Sequence, residues 1–371
     1  MTIFYNVAQP SNIRDSYGQN SQVDFLIRQV PNREIIAGSL KLVGKLSVTK
    51  TTVAAPSTSV PITITDKVFI NPYAGAHVFI SNATSSINDR TIESLAQYGR
   101  KVAMDSQATH TLEELTAASD SAVEMKGNNN NVILAKQFAP FAISPNICLN
   151  KTSGNLGASK YSLIKVMFTL SSALEALYIS TPQPSPEVIS QLSFSLSELE
   201  LHWVETIESK TNMPITFNTN YLVTQTVVSS NTNLNLVAPN PYDAVSVSFI
   251  QQAHRNTKYF DSNMCEYIRD IDRIEFTVNN SAFGPLTYPI ITPAYQDIAL
   301  NYLKSLQGDE MKNCIVNRLM QENGTFGVGM QFASSQNDKL GIAMTINPQS
   351  TFSISTNPYD AVMYINGYLE L

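Results

Sequence analysis

Apolar and polar positions alternate with a period of two through most of the chain. The pattern is kept most strictly over residues 39–49, where Leu40, Leu42, Leu46 and Val48 share one face and Ser39, Lys41, Lys45, Ser47 and Thr49 the other. Val23, Phe25 and Ile27 around Asp24 and Leu26 give a second strand, stopped by Pro31-Asn32, and Ile62 and Ile64 alternate with Thr63 and Thr65. Residues 163–170 have strand character. So do residues 194–203, where Phe194 and Leu196 lie on one parity and Leu199, Leu201 and Trp203 on the other, which a one-residue bulge reconciles. The theme repeats at residues 215–217, 221–228, 233–237, 244–250, 274–278, 327–332, 352–354 and 362–369.

Helical spacing is rarer. Ile92, Leu95, Ala96 and Val102 suggest a helix over residues 89–104, and Thr111-Leu112-Glu113-Glu114 reads as the capping box of a brief one. The best helix starts at Thr292-Pro293 and runs through Ile298, Leu303 and Leu306 to Gly308, with another following over residues 309–324. One turn occurs three times: Asn71-Pro72-Tyr73, Asn240-Pro241-Tyr242 and Asn357-Pro358-Tyr359. Proline cannot donate into a ladder and Asn favours turn initiation, so each copy is expected to end one strand and aim the next. Their recurrence in both halves suggests duplication of an all-β module. The polar run over residues 208–214 marks the boundary, giving an N-terminal arm (1–20) without apolar period, a first module (21–206) and a second (207–371). The arm is expected to order through contacts with something else.

Composition narrows the function. Charged residues are 15% of the 371, against about 25% in an ordinary domain, and Ser, Thr, Asn and Gln replace them. Such a surface is cheap to cover with neighbours. A net charge of -6 argues against general affinity for phosphates, hence against direct nucleic-acid binding. Cys148, Cys265 and Cys314 have neither metal nor redox spacing and are read as reduced and buried. The first residues carry no basic and apolar leader, so synthesis in a cytoplasm is expected and the sequons at Asn82, Asn150, Asn279 and Asn323 are read as plain Asn-rich loops. No stretch approaches the roughly 20 apolar residues of a membrane-spanning helix, so the chain reads as soluble.

Catalytic and metal chemistry find no carrier. His77, His110, His202 and His254 are scattered, with no i, i+4 pair, and are read as structural. Gly324-Thr325-Phe326-Gly327-Val328-Gly329 has neither P-loop nor dinucleotide spacing, and reads instead as a strand that approaches another backbone closely. Asp243 and Asp360 each follow an Asn-Pro-Tyr turn. Without a dense acidic loop, turn formation is preferred to calcium binding for both. No catalytic, cofactor-binding or metal residue is assigned, and no cofactor.

These pieces resemble the double-jelly-roll major capsid proteins of tailless icosahedral viruses, including bacteriophages with an internal membrane. The resemblance rests on two successive antiparallel modules, short inserted helices, recurring turns, and an N-terminal segment leading into Val23-Asp24-Phe25-Leu26-Ile27-Arg28 and Glu34-Ile35-Ile36-Ala37-Gly38-Ser39-Leu40-Lys41-Leu42. It implies an all-β fold of two consecutive eight-stranded jelly rolls, and a structural rather than enzymatic role. It further implies a homotrimer of pseudo-hexagonal outline that tiles a shell with neighbouring capsomers, penton and minor capsid proteins, over a possible internal membrane. The place of action would be the virion, after synthesis in the host cytoplasm. The other reading is a viral spike or carbohydrate-binding β-sandwich used for attachment, against which stands a single tryptophan, Trp203.

Overall fold

The structure is a computed structural model and describes residues 2–52, 58–109, 123–180, 189–209, 214–227, 232–237, 242–266, 271–278, 281–287, 294–307, 324, 326–331, 341–348 and 358–371. Sixteen strands carry the architecture. In the first half they are β1 (Ile3–Ala8), β2 (Gln22–Arg28), β3 (Lys41–Thr52), β4 (Ile80–Ile87), β5 (Arg90–Ala96), β6 (Ala139–Ile143), β7 (Leu163–Leu170) and β8 (Ile189–Ile207). In the second they are β9 (Thr216–Val227), β10 (Thr232–Val237), β11 (Tyr242–Gln251), β12 (Ile271–Val278), β13 (Ser281–Thr287), β14 (Gly327–Gln331), β15 (Gly341–Pro348) and β16 (Tyr359–Glu370). Among the described residues four α-helices interrupt them: α1 (Tyr98–Thr109), α2 (Asn130–Leu134), α3 (Ala173–Ala176) and α4 (Ala294–Gln307).

Pairing is antiparallel throughout these strands. In the first half one sheet has the order β1-β8-β3-β6 and the facing sheet β2-β7-β4-β5. In the second half the orders are β9-β16-β11-β14 and β10-β15-β12-β13. Each of these eight first-half strands therefore has its counterpart eight strands later, while shorter strands such as Arg33–Ile35 and Ser59–Pro61 have none among the described residues. Two sheets facing each other with this crossing order form a jelly roll, so the chain holds two consecutive eight-stranded jelly rolls. Helices α1 and α4 also correspond, each lying between the fifth and sixth strands of its roll.

The strict alternation of β3 is kept, with Leu42, Leu46 and Val48 buried. The bulge expected in β8 falls where Ser197 pairs with Lys45 and Glu200 with Val43, leaving Glu198 in the left-handed region (φ 50°). Glu198 and Leu199 together oppose Gly44. A Cβ at Gly44 would sit 2.6 Å from Leu199 Cδ2, so only glycine admits the bulged side chain there.

Four expectations change. Residues 90–96 are strand rather than helix, because Asn88 and Asp89 both adopt positive φ (46° and 63°) and close a two-residue hairpin pairing Ile87 with Arg90. The N-terminal segment is not a separate arm. Ile3–Ala8 pairs along β8 from Ile3↔Thr206 to Ala8↔Leu201, Ser16–Gly18 pairs with Ser195 to Ser197, and Tyr17 is buried in the core. Finally, the first Asn-Pro-Tyr turn leads into a 3-10 helix (Gly75–Phe79) before β4, whereas Tyr242 and Tyr359 open β11 and β16 directly. The turns thus precede the fourth, third and eighth strands of their rolls. They are not equivalent positions, and the duplication lies in strand order rather than in the tripeptide. Ile64 belongs to a 3-10 turn (Ile64–Asp66) and not to a strand. The capping box at 111–114, the helix at 309–324, the strand at 352–354, and Asn240, Pro241 and Asn357 lie outside the described residues.

Candidate functional site

Helix α1 carries Arg100, Lys101, Asp105, Ser106 and Gln107, a polar composition suited to a surface, yet every residue from Tyr98 to Ala108 is buried. Packing explains this. The helix lies against β4 and the 3-10 helix of the first roll on one side and against α4 of the second roll on the other. It forms the seam between the rolls.

Polar groups cross the seam in pairs. Arg100 donates from Nη1 to the carbonyl of Met264 (2.9 Å) and from Nη2 to that of Ser262, both in the loop after β11. The Glu93 carboxylate of β5 accepts from the backbone N–H of Cys148 (2.7 Å) in its own roll and from the backbone N–H of Asn220 in β9 (2.7 Å). Gln97 Nε2 donates to Thr224 Oγ1 (3.0 Å), and the Tyr364 hydroxyl of β16 donates to the Gln97 carbonyl (3.0 Å). Within α1, Lys101 pairs with Asp105, which also accepts from Asn146 Nδ2 (2.7 Å), so no charge in the helix stands alone.

The first Asn-Pro-Tyr turn belongs to the same seam. Asn71 Oδ1 accepts from the N–H groups of Tyr73 and Ala74 (both 2.9 Å), which makes the turn, and its Nδ2 donates across to Asp261 Oδ2 (2.7 Å). Burial pushes the Asp261 carboxyl up to about 6, against the pull of the Asn263 N–H, Asn71 and Arg100. Burial likewise raises Glu93.

The second roll receives the seam on a surface of small residues. Ser246 and Ser248 of β11 pair with Gly329 and Gly327 of β14, beneath α4. A Cβ at Gly327 would come within 2.3 Å of the Tyr302 ring, and one at Gly329 within 1.9 Å of Ser305 Oγ. The glycine run, read from the sequence as a close approach to another backbone, instead makes room for the side chains of Tyr302 and Ser305 on α4.

The remaining candidates scatter. His77 is buried with Nδ1 2.9 Å from the Tyr98 hydroxyl, His202 lies 2.9 Å from Glu200 on the outer face of β8, His254 pairs with Glu266, and His110 lies outside the described residues. Cys148 and Cys265 are buried free thiols, both raised by burial, Cys265 to about 11; Cys314 lies outside the described residues. Asn150 spends its side chain on Leu40 and Pro145, and the Asn82 amide oxygen accepts from Thr84 (3.3 Å); Asn279 and Asn323 lie outside the described residues. Trp203 is 7% exposed and donates to Glu205 (2.9 Å), so it offers no platform for stacking a sugar. Among the described residues no three His, Cys, Asp or Glu side chains gather as a metal site, and no helix is long and apolar enough to cross a membrane.

The two aspartates after the turns differ. Asp360 is buried. Burial alone would raise its carboxyl, but hydrogen bonds from Gln252, Arg255 and Thr226 outweigh it and hold the group below its usual range. Asp243 is exposed at a bulge in β11, and its carboxylate takes the N–H groups of its own residue and of Ala244. Asp243→Asn keeps such an acceptor, so it is expected to shift stability by less than about 0.5 kcal/mol in thermal melts, equally with calcium or chelator. A calcium-dependent loss would overturn the turn-forming role.

The whole chain superposes on viral shell proteins. It is similar to the Faustovirus major capsid protein (TM-score 0.68, 9% identity, covering 100% of this chain and 90% of that one). It is also similar to the PBCV-1 capsid (TM-score 0.59, 11% identity, 100% and 94% covered) and the mavirus major capsid protein (TM-score 0.58, 10% identity, 99% and 90% covered). The fold is the double jelly roll of viral major capsid proteins. At such identities the likeness is one of architecture, held by strand order and not by shared side chains. No protein-family model matches the chain, and no curated protein matches it in sequence. In this double jelly roll the residues that sequence reasoning missed are Arg100, Glu93 and Asp261, because nothing local distinguishes a charge at a seam from one on a solvated face.

Proposed function

We propose that the chain is the structural major capsid protein of an icosahedral virion. The observation that carries this reading is the end-to-end match to capsid proteins of a chain whose two rolls are fixed to each other through a buried, hydrogen-bonded seam. Tiling a shell requires units of constant shape. A charge-poor surface rich in neutral polar residues favours side-by-side packing, since few charges must be desolvated on contact.

In this reading three copies form a trimer, six rolls give it a pseudo-hexagonal outline, and such trimers meet one another and the penton and minor capsid proteins of the same shell. The protein acts in the virion after synthesis in the host cytoplasm and carries no catalytic site or cofactor. An internal membrane beneath the shell is compatible with it. Negative-stain images of the purified protein are expected to show hexagonal particles, and light scattering a mass three times the 40.8 kDa of one chain. A monomer at every concentration, with no particles under any assembly condition, would overturn the proposal.

A further inference from the structure

Three connections of the first roll meet at one small cavity. Phe69 and Pro72 come from the connection between β3 and β4, Asn128 and Asn130 from that between β5 and β6, and Tyr178 and Ser180 from that between β7 and β8. The cavity measures about 170 Å³ and opens to solvent. Its walls are tied down. Phe69 and Tyr178 lie opposite each other in a short antiparallel pair, and their rings stack with centroids 5.9 Å apart and an interplanar angle of 26°. Asn130 is buried and holds both backbone groups of Ile70, donating to the carbonyl (2.8 Å) and accepting from the N–H (3.2 Å). The Gly127 N–H donates to the Pro72 carbonyl (2.8 Å) and the Ser180 N–H to that of Lys67 (3.1 Å). Connections fixed to a rigid sandwich are where binding sites concentrate, and walls already held in place need little ordering when a ligand arrives.

The lining combines aromatic faces with neutral polar groups. The Asn128 amide and the hydroxyls of Tyr178 and Ser180 make no side-chain hydrogen bond among the described residues, and no lining side chain is charged. That combination selects the ligand. A phosphate or other ion would find no counter-charge, and a purely apolar ring would strip water from the polar groups without replacing it. A polyproline segment needs an extended groove and not a cavity the size of one ring. A sugar ring meets every condition. Its C–H face packs against the electron-rich face of an aromatic ring, while its hydroxyls donate to and accept from amide and hydroxyl groups. We propose that the cavity binds a neutral hexose residue, with its C–H face on the Phe69–Tyr178 pair and its hydroxyls on Asn128 and Ser180. Trp203 gives no such platform because it is buried in β8. The site stands whether or not the chain builds a shell; repeated over a shell, it would turn a weak contact into firm attachment to a glycan-bearing surface.

Saturation-transfer NMR on the full-length protein tests this, with glucose, galactose, mannose and N-acetylglucosamine offered as free sugars and as methyl glycosides. Irradiating the aromatic protons is expected to saturate the C–H face of at least one of them, with a dissociation constant of about 1 mM, the range open to so small a ligand. Response of a methyl glycoside identifies the end of a glycan as the source, and response of a free sugar alone identifies a soluble hexose; either supports the site. The double variant Asn128→Ala with Ser180→Ala is expected to weaken binding about tenfold or more with an unchanged melt, whereas Ile13→Ala, exposed elsewhere, should not weaken it. If the double variant melts lower, Asn128→Ala alone, on an exposed residue, carries the comparison. No saturation of any sugar up to its solubility limit would overturn the inference. So would binding that survives these variants, or tighter binding of cyclohexanol or of a triproline peptide than of every sugar. Protein that binds a sugar but never assembles loses only the shell-building role, and protein that assembles without binding one loses only this site.

Discussion

Arg100→Met is expected to lower the stability of the folded chain by about 3–5 kcal/mol, the largest single effect foreseen here. The guanidinium is 1% exposed and is the donor to two carbonyls of the other roll, Ser262 and Met264. Methionine fills much of the volume but donates nothing, so one buried and one half-buried acceptor lose their partner, at roughly 1–3 kcal/mol each. The Asp261 carboxylate would lose a favourable charge as well. Arg100→Lys keeps the charge without the fork and should recover part of the loss. Chemical denaturation measures the difference. A change below about 1 kcal/mol would mean that water satisfies both carbonyls and that the seam does not depend on Arg100.

The second large effect is a dependence on pH. Asp261 has its folded pKa raised to about 6 from an unfolded value near 3.8, so the folded protein binds the proton more tightly. For a carboxyl shifted in this direction, ionisation costs the folded state. The cost is fully present above about pH 6, declines as pH falls, and is gone below about 3.8. The difference between about 6 and 3.8 corresponds to roughly 3 kcal/mol, so the contribution of this residue should make the protein more stable at pH 5 than at pH 7.5. Burial raises Glu93 too. Subtracting the pH profile of Asp261→Asn from that of the wild type isolates the residue. If the two profiles run parallel between pH 4 and 7, Asp261 does not titrate there and the assigned shift is wrong.

Both predictions concern residues invisible to a reading of the sequence. Alternation reported β3, β7 and the bulge of β8 because those strands have one face in a core and one outside, which is what a period of two encodes. It missed β5, where hairpin closure at Asn88-Asp89 overrides a helical spacing of Ile92, Leu95 and Ala96. β1 was lost for another reason. At the outer edge of its sheet neither face enters a deep core, so Ile3, Phe4, Tyr5 and Val7 show no contrast between faces. The seam was hidden more thoroughly. Arg100, Lys101 and Asp105 spell a solvated helix in any local window, and only the arrival of the second roll makes them interior. What composition did report was a chain with few charges, and the seam is where part of its polar character lies buried.

The pairing of β1 with β8 also sets a timetable for synthesis. Ile3 lies opposite Thr206, so β1 cannot find its place until β8 has been synthesised. At about 5–20 residues per second, that leaves the apolar edge of Ile3, Tyr5 and Val7 waiting roughly 10–40 s beside every other nascent copy on the same message. A slowed ribosome upstream of β8, or a shortage of chaperone, should therefore harm this protein through β1.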